Sequence, residues 1–443
     1  MELLRFPARS ARLLPAPDPA AANCRMTVFH IRQDAPTGVL LLHTLTRALV
    51  LLTPEEAASL PAPAGELRQA LIRLRFLVPE GLDEHAMALE LRQTLRLMAG
   101  EPDALDKFTV FTTTGCNARC FYCFEAGWEV RSMTPETARA AADFMLRSSR
   151  GRPFHIDWFG GEPLCNTAAM DEICRRLEAG GASFYSNMTT NGYLLTPALL
   201  EKARTLWRLR AVSITLDGRE AAYNRVKNYI YPGVNAYRQV TENIRAAAEA
   251  GLRVSLRLNF DDHSAGEITA LVEELCARFG GVENISVNPA MLFEDPNDPA
   301  SFRSQAQRTA MCQTLERLYD RLERAGLCQI PPLAAGLPLH QCMADSGSAV
   351  TILPDGRLGL CEHYVSSDFL GDVWDGSMDE TLLAKYREPQ AEIPECRTCP
   401  LLPTCLRIRK CPTRICYPQL RDLQIRRTQK AMLAAAGLRR GED

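Results

Sequence analysis

The sequence has no excess of charge of either sign. Its 51 Lys and Arg stand against 53 Asp and Glu, a formal net charge of −2, which removes the electrostatic reason to expect nucleic acid or an anionic membrane as partner. It also lacks a continuous apolar run. The N-terminal segment scatters Arg, Pro and Ala with no stretch long enough for a signal-peptide core. The most apolar window, residues 38–53, is broken by His43, Thr44, Thr46 and Arg47 and falls short of a bilayer span. A soluble, cytoplasmic protein is therefore expected. No repeat of fixed period and no low-complexity tract is present.

What the chain does have is length and sulfur. Its 443 residues exceed one compact core and predict two or three domains. Sixteen cysteines in a chain of this kind need a purpose other than disulfides, because intracellular thiols are kept reduced. Three crowd together at Cys116, Cys120 and Cys123. Seven occupy the C-terminal part: Cys342, Cys361, Cys396, Cys399, Cys405, Cys411 and Cys416. The other six, Cys24, Cys165, Cys174, Cys276, Cys312 and Cys328, read as small buried apolar residues.

Three regions follow from the patterning. Residues 1–104 carry short apolar segments (MTVFHI, GVLLLHTL) and the helical pattern ELRQALIRLRFL, a small α+β unit that is a candidate for peptide docking or for structural support. Residues 105–310 alternate strand-like segments with amphipathic helices, the rhythm of parallel βα units. Six candidate strands lie at 107–113, 154–159, 183–188, 210–216, 253–259 and 284–289. Six units suit an open, partial (β/α)6 TIM-like barrel with its reactive groups at the C-terminal strand ends. Residues 311–443 are Pro- and Cys-rich until a basic terminal helix near 419–438, and metal–thiolate bonds would cross-link them. The fold class expected is thus α/β, with a Cys-rich, metal-cross-linked domain at the end.

The segment TTTGCNARCFYCFEAG sets Cys116, Cys120 and Cys123 in a C-x3-C-x2-C array directly after a strand. Soft thiolates at this spacing can hold three irons of a [4Fe–4S] cube and leave the fourth open to a ligand. A zinc knuckle is the competing reading, but zinc takes four tetrahedral ligands and the array offers three. Further along, GGEP (Gly160, Gly161, Glu162, Pro163) closes the second strand, where paired glycines allow close backbone approach and a carboxylate can receive an ammonium. Asn191 in TTNG, Thr215 in SITLDG, and Arg257 with Asn259 in RLN end the next three strands.

This ordered set resembles the radical S-adenosylmethionine (SAM) superfamily over most of residues 107–418. The resemblance implies that SAM binds the open iron and is cleaved reductively to a 5′-deoxyadenosyl radical. It implies that Tyr122 packs on the adenine, that GGEP receives the SAM amine, that Asn191 and Thr215 meet the ribose, and that Arg257 and Asn259 meet the carboxylate or ribose.

The C-terminal cysteines resemble the SPASM pattern, which implies two auxiliary [4Fe–4S] clusters. Cys396, Cys399, Cys405 and Cys416 are assigned by that resemblance to one cluster, and Cys342, Cys361 and Cys411 to the other. The five residues between Cys405 and Cys411 depart from the usual three and leave the ligand order open. Cys328 or a substrate thiolate would complete the second shell; one or two zinc sites are the alternative for the whole region. Glu362, next to Cys361, falls where the sulfatase-maturing branch carries an acidic residue proposed as the catalytic base, and it reads equally as a solvated carboxylate.

The function expected is oxidative modification of a ribosomally made peptide or protein, as a thioether or another side-chain cross-link. The partners would be a substrate with a leader segment and a low-potential donor such as flavodoxin or ferredoxin. Formylglycine formation in a sulfatase is the alternative within the class, and a zinc-stabilised peptide-binding protein the alternative outside it.

Overall fold

The computed structural model describes the chain except for residues 21–22, 293, 295–300, 341, 364–368, 388–393, 406–415 and 439–443. Two compact units emerge. One gathers residues 1–101, 330–341 and 389–443; the other holds 102–329 and 342–388. The first unit is thus assembled from both ends of the chain.

In the first unit, strands β1 (Glu2–Arg5), β3 (His30–Ala35), β4 (Gly38–His43) and β5 (Leu49–Leu52) form an antiparallel sheet in the order β1-β5-β4-β3. Strands β2 (Cys24–Met26) and β6 (Leu77–Pro79) pair separately. A helix over Pro54–Ala58 starts where Thr53 and Glu56 form a capping box. One core lies on a face of this sheet and another beside it. Leu40, Leu42 and Leu49 meet Met432 and Leu433 of the terminal helix Pro418–Ala435. Phe29, Leu45, Met87 and Leu91 meet Leu402, with Cys396 and Cys399 packed against them. The N-terminal α+β segment, Cys396 and Cys399 therefore share one hydrophobic core.

The second unit is built on a nine-stranded sheet. Strands β7 (Lys107–Phe111), β8 (Phe154–Phe159), β9 (Phe184–Thr190), β10 (Leu209–Thr215), β11 (Arg253–Phe260) and β12 (Ile285–Met291) are parallel neighbours in sequence order. These are the six strands read from the sequence. On the far side of β7 lie β13 (Ala349–Ile352), also parallel, then β14 (Arg357–Gly359), antiparallel to β13, and β15 (Phe369–Asp372), antiparallel to β14. The sheet is an open one, consistent with a partial barrel. The parallel β13 was not foreseen: AVTI is four residues long and buried at every position, so it shows no alternation.

Alternation along the parallel strands separates two faces. Phe108 of β7 packs edge-on against Phe154 of β8 and Phe144 of the helix Pro135–Ser148, so this face takes the helices. The opposite face is polar. Register places Thr351, Thr109, Asp157 and Asn187 in one row across four strands, where Asp157 pairs with Lys107 at 3.0 Å and accepts from Asn187 at 3.3 Å. Among the described residues no helix is long and apolar enough to cross a membrane.

Candidate functional site

The cysteine array occupies the loop that leaves β7, and the GGEP turn leaving β8 packs directly on it. The Gly161 and Glu162 amides donate to the Thr113 and Gly115 carbonyls at 3.1 and 3.0 Å, and the Thr112 hydroxyl donates to the Pro163 carbonyl at 3.0 Å. Both glycines are required. A Cβ on Gly160, whose φ is +118°, would stand 2.2 Å from the Thr113 oxygen, and one on Gly161 would stand 2.4 Å from the Gly115 oxygen.

Glu162 is fully buried. Its carboxylate accepts from the Thr190 hydroxyl at 2.7 Å and from the Asn191 and Leu164 amides at 2.8 and 3.1 Å. Burial pushes its carboxyl up to about 7, against the pull of these donors. A carboxylate so engaged fastens the end of β9 to the GGEP turn. Asn191 extends the connection: its Nδ2 donates to Asn117 Oδ1 at 2.6 Å and lies 3.9 Å from Cys116 Sγ.

All three loop cysteines are half-buried. Burial raises the Cys116 thiol to about 12; the Ala118 amide opposes this, and Glu162, Cys120 and Cys165 add to it. Cys123 is raised by burial as well, with Glu125 and Cys120 contributing. Thiols that disfavour each other's ionisation suit a cationic centre, since ligating thiolates must be deprotonated and the metal relieves their repulsion. The surroundings also hold spare polar capacity. Asn117 Nδ2 and Glu125 Oε2 are buried without a hydrogen-bond partner, and desolvation lifts Glu125 to about 8. The donor set and these orphaned atoms fit an iron–sulfur cluster with a polar ligand beside it. No three His, Cys, Asp or Glu side chains among the described residues are placed to share one metal ion; a cubane spreads its thiolates over separate irons.

The ends of β10 and β11 meet the same loop. The Tyr122 hydroxyl donates to Asp217 Oδ2 and accepts from Lys227 Nζ at 2.9 Å. Lys227 also donates to Thr215 at 2.6 Å and to Asp217 at 2.6 Å. Asp217 Oδ1 accepts from the Asn259 amide at 3.1 Å, and Arg257 Nε donates to Asn259 Oδ1 at 2.8 Å. Tyr122, Thr215, Arg257 and Asn259 thus belong to one connected group. Lys227 and Asp217, which tie it together, were missed in the sequence. A lysine closing the helix Glu220–Lys227 reads as solvated, and Asp-Gly reads as a turn. Asn117 and Cys165 were missed too; the Cys165 thiol is exposed and takes the Asn117 amide.

The distal cysteines divide between the two units. In the second, Cys342 heads the turn Met343–Ser346, and Cys361 is buried just beyond β14. The His363 ring lies 4.8 Å from Phe124, the residue after Cys123, so the half-buried Glu362 stands on a turn that abuts the cysteine loop. In the first unit, the Cys399 thiol is raised by burial, opposed by the Leu401 amide, and raised further by Cys405, Cys416 and Cys396. Those four cysteines lie together. Cys411 lies outside the described residues, and Cys328 is half-buried with its thiol 3.8 Å from the Gln329 carbonyl.

Residues 110–275 match the family profile described as the Radical SAM superfamily. The chain is 22% identical over 354 residues to a serine-type anaerobic sulfatase-maturating enzyme of Klebsiella aerogenes, covering 71% of this chain and 82% of that protein. Its fold is similar to native anSMEcpe with bound AdoMet and the Kp18Cys peptide (TM-score 0.59, 14% identity, 75% of this chain and 99% of that one). It is also similar to Streptococcus suis SuiB bound to the precursor peptide SuiA (TM-score 0.51, 13% identity, 86% and 94%). A cysteine loop at the mouth of a parallel sheet, braced by its GGEP turn and matched by this profile, makes the central segment of this chain a radical SAM domain.

Proposed function

We propose that this protein is a radical SAM maturase that oxidatively modifies a ribosomally made peptide or protein, joining side chains by a thioether or another cross-link. One observation carries the reading: Cys116, Cys120 and Cys123 stand on a single loop, held by the GGEP turn and by Asn191 next to buried polar atoms that have no protein partner. In this reading the three thiolates hold a [4Fe–4S] cluster. Gly160, Gly161, Glu162 and Pro163 form the turn that meets the SAM amine, Tyr122 the adenine, Asn191 and Thr215 the ribose, and Arg257 with Asn259 the carboxylate or ribose. When bound, cluster and SAM supply a 5′-deoxyadenosyl radical that takes one hydrogen atom from the substrate. Forming the cross-link then releases one further electron and one proton. Glu362 is the proposed proton acceptor. Cys396, Cys399, Cys405 and Cys416 would hold one auxiliary cluster and Cys342, Cys361 and Cys411 the other; such a cluster would supply the acceptor for that electron, and a flavodoxin or ferredoxin would supply the reducing electron for each turnover.

A peptide substrate is supported by the peptide complexes of the two structural relatives. Formylglycine formation is the second reading, favoured by the likeness to the sulfatase-maturating enzyme. Anaerobically purified protein should contain iron and sulfide and convert SAM to 5′-deoxyadenosine under a low-potential reductant; a colourless zinc protein would overturn both readings. With a Cys-containing precursor, mass spectrometry separates them. A cross-link removes two hydrogens only, whereas formylglycine made from cysteine removes two hydrogens and also replaces sulfur with oxygen.

A further inference from the structure

Lys227 is the least solvated cation of the site, its side chain 2% exposed and paired with an Asp217 that is also 2% exposed. A buried ion pair is a weak source of stability, because desolvation offsets the attraction. Its presence calls for another use. The ammonium has three protons, and each has a partner: Asp217 Oδ2 at 2.6 Å, Thr215 Oγ1 at 2.6 Å and the Tyr122 hydroxyl at 2.9 Å. A lysine ammonium only donates, so the hydroxyls of Thr215 and Tyr122 are both acceptors towards it. The Tyr122 hydroxyl donates its own hydrogen bond to Asp217. Thr215 is left with a proton to give at the end of β10, where it stands opposite Arg257 of β11. The Lys227 carbonyl also accepts from the Arg119 amide at 2.8 Å, inside the cysteine array.

We propose that Lys227 is a positioning residue: it fixes the Thr215 hydroxyl as a donor towards an oxygen of bound SAM and holds the Tyr122 ring at the angle the adenine requires. This rests on the SAM reading above and extends it to a residue that closes the helix Glu220–Lys227, far from the cysteines in sequence. Burial disfavours the Lys227 ammonium, but the Asp217 carboxylate at 2.6 Å outweighs that desolvation and keeps it charged. Neither hydroxyl can then reverse its direction without breaking a charged hydrogen bond.

The test measures SAM binding to the iron-loaded protein by equilibrium dialysis, and the change SAM produces in the EPR spectrum of the reduced cluster. Lys227→Met alone strands a buried carboxylate, so the pair Asp217→Asn/Lys227→Met, neutral on both sides, accompanies it with the melting temperature as a folding control. Both should weaken SAM binding about tenfold or more and blunt the EPR change, as expected for lost hydrogen bonds that orient a ligand. Thr215→Val should weaken binding similarly, Thr215→Ser should restore it, and Thr215→Val should add little in the Asp217→Asn/Lys227→Met background. Full additivity, or an unchanged affinity and EPR response in the folded double variant, overturns the proposal. If that variant does not fold, Thr215→Val with wild-type affinity overturns it. Iron-loaded wild type that does not bind SAM at all would instead sink the proposed function.

Discussion

Gly161 and Gly115 meet backbone to backbone, so closely that a Cβ on the first would lie 2.4 Å from the carbonyl oxygen of the second. The contact seats the cysteine loop on the end of β8, and no flexible side chain is present to yield. Gly161→Ala should therefore displace the loop, costing about 2 kcal/mol in stability and lowering iron content and SAM cleavage together. Gly266→Ala, where a Cβ meets open space within a helix, serves as the control. It should leave both unchanged in the same iron assay.

Removing different cysteines should separate two kinds of failure. Cys116→Ala should abolish conversion of SAM to 5′-deoxyadenosine. Cys399→Ala, in the other compact unit, should retain measurable SAM cleavage but lose modified peptide. Equal cleavage by the two variants would contradict the assignment of Cys116 to the SAM-binding cluster.

Glu362 stands on the turn whose His363 packs on Phe124. Glu362→Gln keeps the volume of the side chain and removes its basicity. If Glu362 accepts the substrate proton, the variant should still cleave SAM while product falls about a hundredfold, within the usual range for a lost general base. Deuterium transfer from labelled peptide into 5′-deoxyadenosine should persist. A wild-type product yield would remove Glu362 from the mechanism.

Acid should weaken the first unit through His43. This residue is fully buried in β4, and its Nδ1 faces the Leu45 and Thr46 amides at 3.3 and 3.4 Å. Burial lowers its pKa from 6.5 to about 3, offset in part by a hydrogen bond to the Arg75 backbone. As pH falls below 6.5 the unfolded chain takes up a proton that the folded one refuses, so stability is complete above that value and declines towards pH 3. Between pH 7 and pH 5 the loss is about 2 kcal/mol. Amide exchange in β4 and β5 should report it, and His43→Gln should flatten the slope. A slope unchanged in that variant would show that another group carries it.

The six parallel strands were legible because each pairs a short strand-like run with a following amphipathic helix, a pattern that local sequence carries. The site was legible where chemistry lies within one segment, as in C-x3-C-x2-C and GGEP. Strand β13 was hidden by its brevity. Lys227 and Asp217 were hidden for a different reason. Their role depends on burial opposite Tyr122, a residue distant in sequence, and no spacing rule reports that. Cys396 and Cys399 likewise gave no sign that they would pack against Phe29, Leu45 and Met87.

That last contact has a bearing on how the protein is made. The unit that unites Leu45 with Leu402 and Leu42 with Met432 cannot close until residues 402–433 have left the ribosome. The parallel-sheet unit needs nothing beyond residue 388 and can form while synthesis continues. A nascent N-terminal segment must therefore wait with its apolar strands uncovered, and Cys396 and Cys399 acquire their surroundings last.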